Sequence, residues 1–313
     1  MDKRKSLFVP ANGNGTEIFM RQSRVVTIQD ISCFGKCSLT VALPIISAMG
    51  VETAIIPTAV LSTHTGGFEN FTFHDLTVDI PKIAEHWRLL DLSFDVIYTG
   101  YLGSFEQLEY ISDFIDSFKT KNNIVMIDPV MGDNGTLYTG FTKKFALSMA
   151  QLCKKADVIV PNLTEAAYML DEPYAPDGYD EEYIRGLLKR LCKTGAKSVI
   201  LTGVSYSHDK IGAVAYSAQS GEYCEYFTER IGESFHGTGD IFASVCAGAL
   251  ARGVSMKESI KLAADYVLAC IRATAGHEKE HWYGVRFEDC IPQLTKKLDR
   301  LIDLGGNNGG KRR

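Results

Sequence analysis

Hydrophobic positions along the chain alternate between short continuous runs and longer stretches with helical spacing. The short runs predict strands at 25–29, 51–59, 94–98, 124–127, 157–160 and 198–202. The longer stretches predict helices at 39–49, 105–118, 240–252, 256–275 and 288–303. Two further runs, Lys210–Ser217 and Gly221–Phe227, flank the turn AQSG and predict an antiparallel hairpin.

The alternation of strands and helices determines the expected fold class. Strands joined by helices of this length indicate βαβ units, and therefore an α/β fold with a mostly parallel central sheet, helices on both faces and the small hairpin. No change in composition marks a second domain. We expect one domain over residues 23–304, a flexible N-terminal extension over 1–22 and a flexible tail, GGNNGGKRR, over 305–313.

Composition and charge narrow the classes of function. The 313 residues are 45% hydrophobic, enough for a large core, and the net charge of −5 provides no basic surface for nucleic acid. No apolar stretch reaches the roughly 20 residues of a membrane span, and the N-terminus lacks the apolar run of a signal peptide. The eight cysteines lie mostly inside apolar stretches, which is typical of reduced proteins. We expect a cytoplasmic protein that binds neither nucleic acid nor membrane.

Polar residues and glycines follow the predicted strands at six places. Ligands of open α/β sheets bind outside the carboxyl ends of the strands, so these residues predict one shared site. They are Asp30, Ser32 and Gly35; Ser62, His64 and Thr65; Thr99, Gly100 and Tyr101; Asp128 and Asp133; Asn162 and Glu165; and Thr202 and Gly203.

The stretch SFHGTGDIFAS (234–244) carries the most specific chemical pattern. Gly237 and Gly239 let the backbone approach a ligand, and free N–H groups at the start of the next helix suit an anion. A carboxylate beside an anion site, Asp240, is suited to take a proton from a hydroxyl. This combination favours phosphoryl transfer to an alcohol, and the chain contains neither a P-loop nor a strand-linked dinucleotide-binding motif.

Two further stretches supply oxygen ligands at strand ends. DPVMGD (128–133) and NLTE (162–165) contain the carboxylates and amide that a magnesium site requires.

Together these motifs resemble the pyridoxal kinase family, the vitamin B6 kinases of the ribokinase-like superfamily. The matching stretches run in family order: TIQDISCFGKCS (27–38), LSTHTGGF (61–68), YTGYLGS (98–104), DPVMGDNGTLY (128–138), PNLTEA (161–166) and GTGD (237–240). The resemblance implies a three-layer α/β/α fold and ATP-dependent phosphorylation of the 5′-hydroxymethyl group of pyridoxal, pyridoxine or pyridoxamine. It also implies Mg²⁺, assistance by K⁺ and a homodimer.

The resemblance further implies a role for each matched residue. Asp240 is expected to be the base, and the anion hole is expected to consist of Gly237, Thr238 and Gly239. Magnesium is expected at Asp128 and Glu165, and the ATP side is expected to comprise Asp128, Asp133, Tyr138, Asn162, Glu165, Thr202 and Thr238. The substrate side is expected to comprise Asp30, Ser32, His64, Thr65 and Tyr101, and the hairpin end near Thr228–Ile231 is expected to face the adenine.

Asp30 departs from the family pattern, in which many members carry serine. A carboxylate there also resembles the hydroxymethylpyrimidine kinases, which share the fold and act on a smaller aminopyrimidine, so that reaction is the main alternative. Asp30 is suited to pair with a protonated amine or ring nitrogen, which favours pyridoxamine or an aminopyrimidine. Val160 also departs from the family, in which a threonine is frequent at this position. His236 directly precedes the glycine turn and either reaches the phosphates or acts as a spacer. Cys33 is placed to approach the aldehyde group of a substrate.

Two other classes of function compete with a kinase. HEKEH (277–281) matches the zinc-protease pattern, but Gly276 before it and its charged central positions predict an exposed link. A vitamin-binding protein without catalysis would keep the fold, yet the intact Asp240 and Glu165 argue against it.

Overall fold

The buried apolar runs form a central sheet in the computed structural model, which describes residues 21–232 and 235–308. The strands are β1 (Arg24–Ser32), β2 (Glu52–Leu61), β3 (Phe73–Asp75), β4 (Val96–Thr99), β5 (Ile124–Ile127), β6 (Gly132–Asp133), β7 (Thr136–Leu137), β8 (Val158–Ile159), β9 (Ser198–Ser207), β10 (Lys210–Ser217) and β11 (Tyr223–Glu229). Within these residues nine strands pair in the order β11-β10-β9-β8-β5-β4-β1-β2-β3, while β6 and β7 form a separate hairpin. The six strands from β9 to β2 pair in parallel, and the strands at both edges of the sheet are antiparallel.

Helices cover both faces of this sheet. They are α1 (Leu39–Ala48), α2 (Ile80–Leu89), α3 (Phe105–Phe118), α4 (Lys143–Cys153), α5 (Leu163–Leu170), α6 (Glu181–Lys193), α7 (Thr238–Ala251), α8 (Met256–Thr274) and α9 (Ile291–Asn308). The helices α2 to α6 pack into a core on one face, and α1, α7, α8 and α9 pack into a second core on the other. The result is a three-layer α/β/α fold. Among the described helices, no stretch combines the length and hydropathy that a bilayer crossing demands.

Side-chain caps fix where many of the helices begin. Five N-cap side chains accept a hydrogen bond from the backbone N–H three residues further on: Ser104, Thr142, Asn162, Asp180 and Ser255. The helix α7 differs from these five. Its N-cap is Gly237, which adopts a left-handed conformation and has no side chain to cap the helix. The first N–H groups of α7 therefore receive no side-chain acceptor from their own helix start.

The predicted fold class is confirmed, and each strand and helix predicted from the hydrophobic pattern is present. The strands β1 and β9 run further than predicted, to Ser32 and Ser207. The prediction missed α2, α4, α5, α6, β3 and the β6–β7 hairpin. α2 fully buries only Ile80, and α5 has only 8 residues, so both give a weak periodic signal.

The boundaries of the folded region differ from the expected ones. The Arg21 guanidinium binds the Asp95 carboxylate at 2.8 and 2.9 Å, and the Gln22 amide binds the Gly50 carbonyl at 3.3 Å. These two residues of the expected extension therefore contact the folded region. At the other end, α9 continues to Asn308, past the expected boundary at 304. The remainder of the expected extension and tail lies outside the described residues, and a single domain over 23–304 stays a prediction.

Candidate active site

The carboxyl ends of the parallel strands and the start of α7 meet at one edge of the sheet. Asp30 lies near the end of β1, Asp128 directly follows β5, and Asp240 lies in the first turn of α7. Burial raises the pKa of Asp128, and the charges of Glu165 and Asp240 raise it further. The fold thus brings carboxylates from four separate stretches of the chain close enough to interact.

A tight glycine turn forms the start of α7. Gly237 has a φ of +77°, and a Cβ at this position would lie 1.6 Å from the carbonyl oxygen of Lys36. A Cβ built on Gly239 would meet no atom within 4 Å outside its chain neighbours and the backbone of its own helix. The hydroxyl of Thr238 donates to the Phe235 carbonyl at 3.1 Å, which fixes the preceding loop. The turn therefore presents backbone N–H groups next to open space, as an anion site requires.

Asp240 stands beside this turn with one carboxylate oxygen already engaged. Its Oδ2 accepts a hydrogen bond from the backbone N–H of Ser38 at 3.0 Å. Burial raises the pKa of Asp240 to about 7, with a further contribution from the charge of Asp30. A carboxylate with a pKa near neutrality is suited to accept a proton from a hydroxyl at physiological pH.

Glu165 and Asn162 hold each other at the start of α5. The side-chain Oδ1 of Asn162 accepts from the Glu165 backbone N–H at 2.9 Å, and Glu165 Oε2 accepts from the Asn162 backbone N–H at 2.8 Å. Glu165 Oε1 also accepts from the Met131 N–H at 3.1 Å, and the Asn162 amide donates to the Gly132 carbonyl at 2.8 Å. These bonds connect the DPVMGD loop to α5, so both residues stabilise the loop that follows β5.

Glu165 and Asp128 together form the acidic part of the crevice. Burial raises the pKa of Glu165 to about 8, while its backbone hydrogen bonds act in the opposite direction. Asp128 is only 7% exposed. Two buried carboxylates with raised pKa values and further lone pairs are a donor set that fits a divalent cation, because the cation offsets their repulsion.

On the opposite side of the crevice, Asp30 lies among hydroxyl groups. The Ser32 hydroxyl donates to Asp30 Oδ2 at 3.1 Å. Burial raises the pKa of the Tyr101 hydroxyl, and the charges of Asp30 and Asp75 raise it further. Thr65 is exposed on the loop after β2. Asp30 and Ser32 are thus in contact, while the meeting of Tyr101 with them at one substrate stays a prediction.

His64 is held by backbone groups at both ring nitrogens. Its Nδ1 accepts from the Gly66 N–H at 3.1 Å, which leaves Nε2 to donate to the Tyr283 carbonyl at 2.9 Å. Burial lowers the pKa of His64, consistent with a neutral ring. His64 therefore joins the loop after β2 to the turn after α8. Its contact with a substrate stays a prediction. Because both ring nitrogens are occupied, such a contact would involve the face of the imidazole ring.

The residues predicted on the ATP side lie around the β6–β7 hairpin and β9. The Asp133 carboxylate accepts from the Asn134 N–H at 2.8 Å and is exposed, and Tyr138 is 43% exposed. Thr202 pairs with Asn162 in a parallel bridge. Beyond the glycine turn lies a cavity of about 390 Å³, lined by Ile231, Gly232, Phe235, Ile271, Ala275, Glu278 and Trp282. Ile231, which follows β11, lines this cavity, and the expectation that this end of the hairpin faces an adenine stays a prediction.

Ser38, which contacts Asp240, was not among the residues predicted for the site. Ser38 precedes α1 with φ +54° and ψ −134°, a conformation that favours glycine. Nothing in the sequence signals this conformation, because serine is also an ordinary residue before a helix.

The HEKEH segment forms turns rather than a helix. His277 is exposed, and its ring lies 3.6 Å from the Glu280 carboxylate. Across residues 21–232 and 235–308, no three metal-ligating side chains are grouped for a metal ion. The predicted exposed link is confirmed. His236 is exposed, with its ring 5.3 Å from that of His64, and Cys33 is exposed as well, so their participation stays a prediction.

A family profile and solved structures both show which known proteins this chain resembles. Residues 42–284 match the profile of the family described as phosphomethylpyrimidine kinase. A Bacteroides thetaiotaomicron protein, provisionally assigned as a phosphomethylpyrimidine kinase, is 40% identical with a TM-score of 0.84, over 89% of this chain and 96% of that one. Another crystal form of that protein contains pyridoxal. Pyridoxal kinase from Lactobacillus plantarum is 30% identical with a TM-score of 0.80, over 89% and 98% of the two chains.

Curated relatives include enzymes of both vitamin pathways. The thiamine biosynthetic bifunctional enzyme of Arabidopsis thaliana is 28% identical over 80% of this chain and 47% of its own length. Pyridoxine kinase from Bacillus subtilis is 31% identical over 58% of this chain and 65% of its own length. The chain therefore spans about half of the plant enzyme and just under two thirds of the bacterial one.

The glycine turn yields a prediction about stability. Gly237→Ala is expected to destabilise the protein by about 2–4 kcal/mol, since alanine is strained at positive φ and its Cβ overlaps a backbone carbonyl. Gly239→Ala is the matched control and should stay within about 1 kcal/mol of the parent, because its Cβ meets open space. Urea unfolding followed by circular dichroism measures both. Equal stabilities would show that the turn relaxes around the added methyl group.

The raised pKa of Asp240 yields a second prediction. The folded state has a pKa of about 7, against an ordinary value of 3.8, so it binds the proton more tightly than the unfolded chain. Stability therefore falls as pH rises between these values, and the loss is complete above the folded pKa. Asp240→Asn removes this loss and should raise the free energy of unfolding by about 1–2 kcal/mol at pH 8 and hardly at all at pH 4.

Urea unfolding at the two pH values tests this, with the exposed Asp133→Asn as the control variant. An equal gain from Asp240→Asn at both pH values, or a loss at pH 8, would show that ionisation of this carboxylate does not carry the effect.

Proposed function

The chain belongs to the phosphomethylpyrimidine kinase family, within the ribokinase-like superfamily, and from this premise we propose that it phosphorylates the 5′-hydroxymethyl group of a B6 vitamer with ATP. The observation that carries the proposal is the position of Asp240, a partly buried carboxylate next to the uncapped first turn of α7. An acceptor for a hydroxyl proton and a set of anion-binding N–H groups then stand side by side, as phosphoryl transfer to an alcohol requires.

The proposed reaction assigns one task to each part of this turn. The substrate hydroxyl donates to Oδ1 of Asp240, because Oδ2 is held by the Ser38 N–H. As the alcohol oxygen bonds to the γ-phosphorus, its proton passes to Asp240 and the bond from phosphorus to the β-phosphate oxygen breaks. The N–H groups of Gly237, Thr238 and Gly239 stabilise the charge on the transferring phosphoryl group. The products are the phosphorylated alcohol, ADP and a proton on Asp240.

The acidic crevice requires a cation before it can bind a triphosphate. Asp128 and Glu165 would hold Mg²⁺, which supplies charge neutralisation between these carboxylates and the phosphates. The role of the two residues is to orient that cation through the loop that their backbone hydrogen bonds fix. The apolar cavity around Ile231 and Phe235 is suited to the adenine base.

The end of the crevice opposite the phosphates is suited to a polar aromatic ring. Asp30, Ser32 and Tyr101 offer a carboxylate and two hydroxyl groups to ring substituents. Support for a B6 vitamer comes from the pyridoxal in the Bacteroides protein and from the pyridoxal kinase of Lactobacillus plantarum.

The second candidate is a hydroxymethylpyrimidine kinase. The matched family profile and the plant thiamine enzyme favour it, and Asp30 is suited to the exocyclic amine of an aminopyrimidine. The base, the anion site and the cation site would serve that reaction unchanged. The choice between a B6 vitamer and hydroxymethylpyrimidine as the substrate therefore depends on the ring end of the crevice. Assistance by K⁺, a homodimer and a cytoplasmic location stay predictions.

An ADP-release assay tests the proposal. With pyridoxal, pyridoxine, pyridoxamine and hydroxymethylpyrimidine as alcohols, we expect ADP release with Mg²⁺-ATP and at least one B6 vitamer. Asp240→Ala should lower kcat at least about 100-fold, since general-base contributions are of this size. Faster turnover of hydroxymethylpyrimidine than of every vitamer would establish the second candidate instead. No release with any alcohol, or full activity of Asp240→Ala, would contradict the proposal.

The Asp30 carboxylate should set the preference between vitamers with a neutral substituent and those with a protonated amine. Asp30→Ser is expected to lower kcat/KM for pyridoxamine relative to pyridoxal about tenfold, because one charge-assisted hydrogen bond to the amine is lost. Steady-state kinetics with both vitamers measure this ratio. An unchanged ratio would show that Asp30 does not recognise the amine.

A further inference from the structure

The β6–β7 hairpin ends in a tight turn at Asn134 and Gly135. Both residues have a positive φ, of +49° and +78°, which is the two-residue turn that Asn-Gly sequences favour. The strands on either side, Gly132–Asp133 and Thr136–Leu137, contain only two residues each. So short a hairpin is not stable by itself, and contacts with the rest of the protein must fix its position.

The open end of the hairpin is held by the start of α5. The Asn162 side-chain amide donates to the Gly132 carbonyl at 2.8 Å, and Glu165 Oε1 accepts from the Met131 N–H at 3.1 Å. Glu165 also belongs to the proposed cation site, so this end of the hairpin and the cation site are fixed together.

The tip of the hairpin is held by two other side chains of α5. The Gly135 N–H donates to the Thr164 hydroxyl at 2.8 Å, and the Gly135 carbonyl accepts from the Tyr168 hydroxyl at 3.3 Å. Thr164 and Tyr168 are four residues apart and therefore share one face of α5. The Tyr174 ring covers one side of Gly135, where an added Cβ would lie 2.6 Å from it, while a cavity of about 230 Å³ borders the tip. Packing around the tip is thus incomplete, and the two hydrogen bonds complete the hold.

The hairpin carries two residues that are expected on the ATP side. Asp133 directly precedes the turn and is exposed, and Tyr138 directly follows β7 with 43% of its surface exposed. The Tyr138 N–H donates to the Met131 carbonyl at 2.9 Å, which closes the open end of the hairpin. The positions of Asp133 and Tyr138 therefore depend on both points at which α5 holds the hairpin, its open end and its tip.

We propose that Thr164 is a positioning residue that, through the Gly135 N–H, sets where Asp133 and Tyr138 stand beside a bound nucleoside triphosphate. This inference rests on the proposed function. The Thr164 hydroxyl is buried, with 1% of the residue exposed, and it fixes the tip alone, because other side chains of α5 fix the open end. Its loss loosens the contacts of the hairpin with the nucleotide and leaves the cation site and Asp240 in place.

Two substitutions separate the hydroxyl of Thr164 from its methyl group. Thr164→Val keeps the branched shape and removes the hydroxyl, whereas Thr164→Ser keeps the hydroxyl and removes the methyl group. Thr164→Val should raise KM for ATP about tenfold, corresponding to one hydrogen bond whose donor is left unpaired. It should leave kcat and the KM for the accepted alcohol within about threefold of the parent. Thr164→Ser should keep the parent KM for ATP.

Thermal unfolding separates a positioning role from a merely structural one. Both variants should unfold below the parent, because one leaves the Gly135 N–H unpaired and the other loses a buried methyl group. The control is Ser255→Ala, which removes the cap of α8 and is separated from the glycine turn by the length of α7, about 20 Å. It should also unfold earlier and keep the parent KM for ATP. A KM that follows the unfolding temperature instead of the hydroxyl would show a structural role only.

Hydrogen exchange measures the hold on the hairpin without any substrate. In Thr164→Val the Gly135 amide should exchange at least about tenfold faster than in the parent, because it has lost its acceptor. The Met131 amide, which donates to Glu165, should keep the parent rate. Exchange followed by NMR measures both amides in one sample. An unchanged rate at Gly135 would show that Thr164 does not hold the tip.

The outcomes distinguish this inference from the proposed function. ADP release by the parent protein reports on the function, whereas the ratio of variant to parent KM for ATP reports on Thr164, whichever alcohol is accepted. A parent KM for ATP in Thr164→Val, an equal defect in Thr164→Ser, or a loss confined to kcat would each overturn the positioning role.

Calorimetric binding of Mg²⁺-ADP carries the test if the parent releases no ADP, a result that contradicts the function alone. Binding that is about tenfold weaker in Thr164→Val than in the parent supports the positioning role, and equal affinities overturn it. A parent that binds no Mg²⁺-ADP overturns the function and the inference together.

Discussion

The burial of several carboxylates in one crevice is the constraint on which the candidate site depends. Burial raises the pKa of Asp128 and Asp240, and the neighbouring acids raise them further. In an isolated loop such groups would separate or face water. Here they are attached to a parallel sheet packed between two hydrophobic cores, which prevents both. The repulsion therefore persists in the folded state, where a cation or a proton relieves it.

Close backbone contacts hold the glycine turn in place, in addition to the Asn162–Glu165 side-chain contacts at the start of α5. Gly237 lies against the Lys36 carbonyl, and a Cβ at Gly284 would lie 2.2 Å from the Lys36 Cβ. His64 adds a bond from the loop after β2 to the Tyr283 carbonyl in the same turn. The loop after β1, the glycine turn and the turn after α8 thus meet at Lys36, and the loop after β2 is bonded to the last of these. Such close approaches tolerate little movement, which gives the phosphoryl end of the crevice a fixed geometry.

The hydrophobic pattern predicted the central elements of the fold because they are periodic and buried. It missed α6, although Ile184, Leu187, Leu188 and Leu191 have helical spacing, and it missed α5 because a short capped helix leaves little periodicity. The carboxylates of the crevice were predictable, since each lies near the end of a strand, directly follows one or lies in the first turn of a helix. Ser38 was not, because its role depends on a positive φ that the sequence does not encode. Nor did the sequence reveal that both nitrogens of His64 bind backbone groups.

The two halves of the crevice constrain function to different degrees. At the phosphoryl end, Asp240 and the glycine turn need only a hydroxyl and a phosphate, so they suit any alcohol that reaches them. At the ring end, Asp30 and Tyr101 must pair with particular substituents, and a buried polar group left without a partner discriminates strongly between rings. A fold shared with B6 and thiamine enzymes therefore supports the proposed phosphoryl transfer more strongly than it supports any one substrate. Under the proposed function, selectivity between the two vitamin alcohols arises where the carboxylate of Asp30 meets the ring.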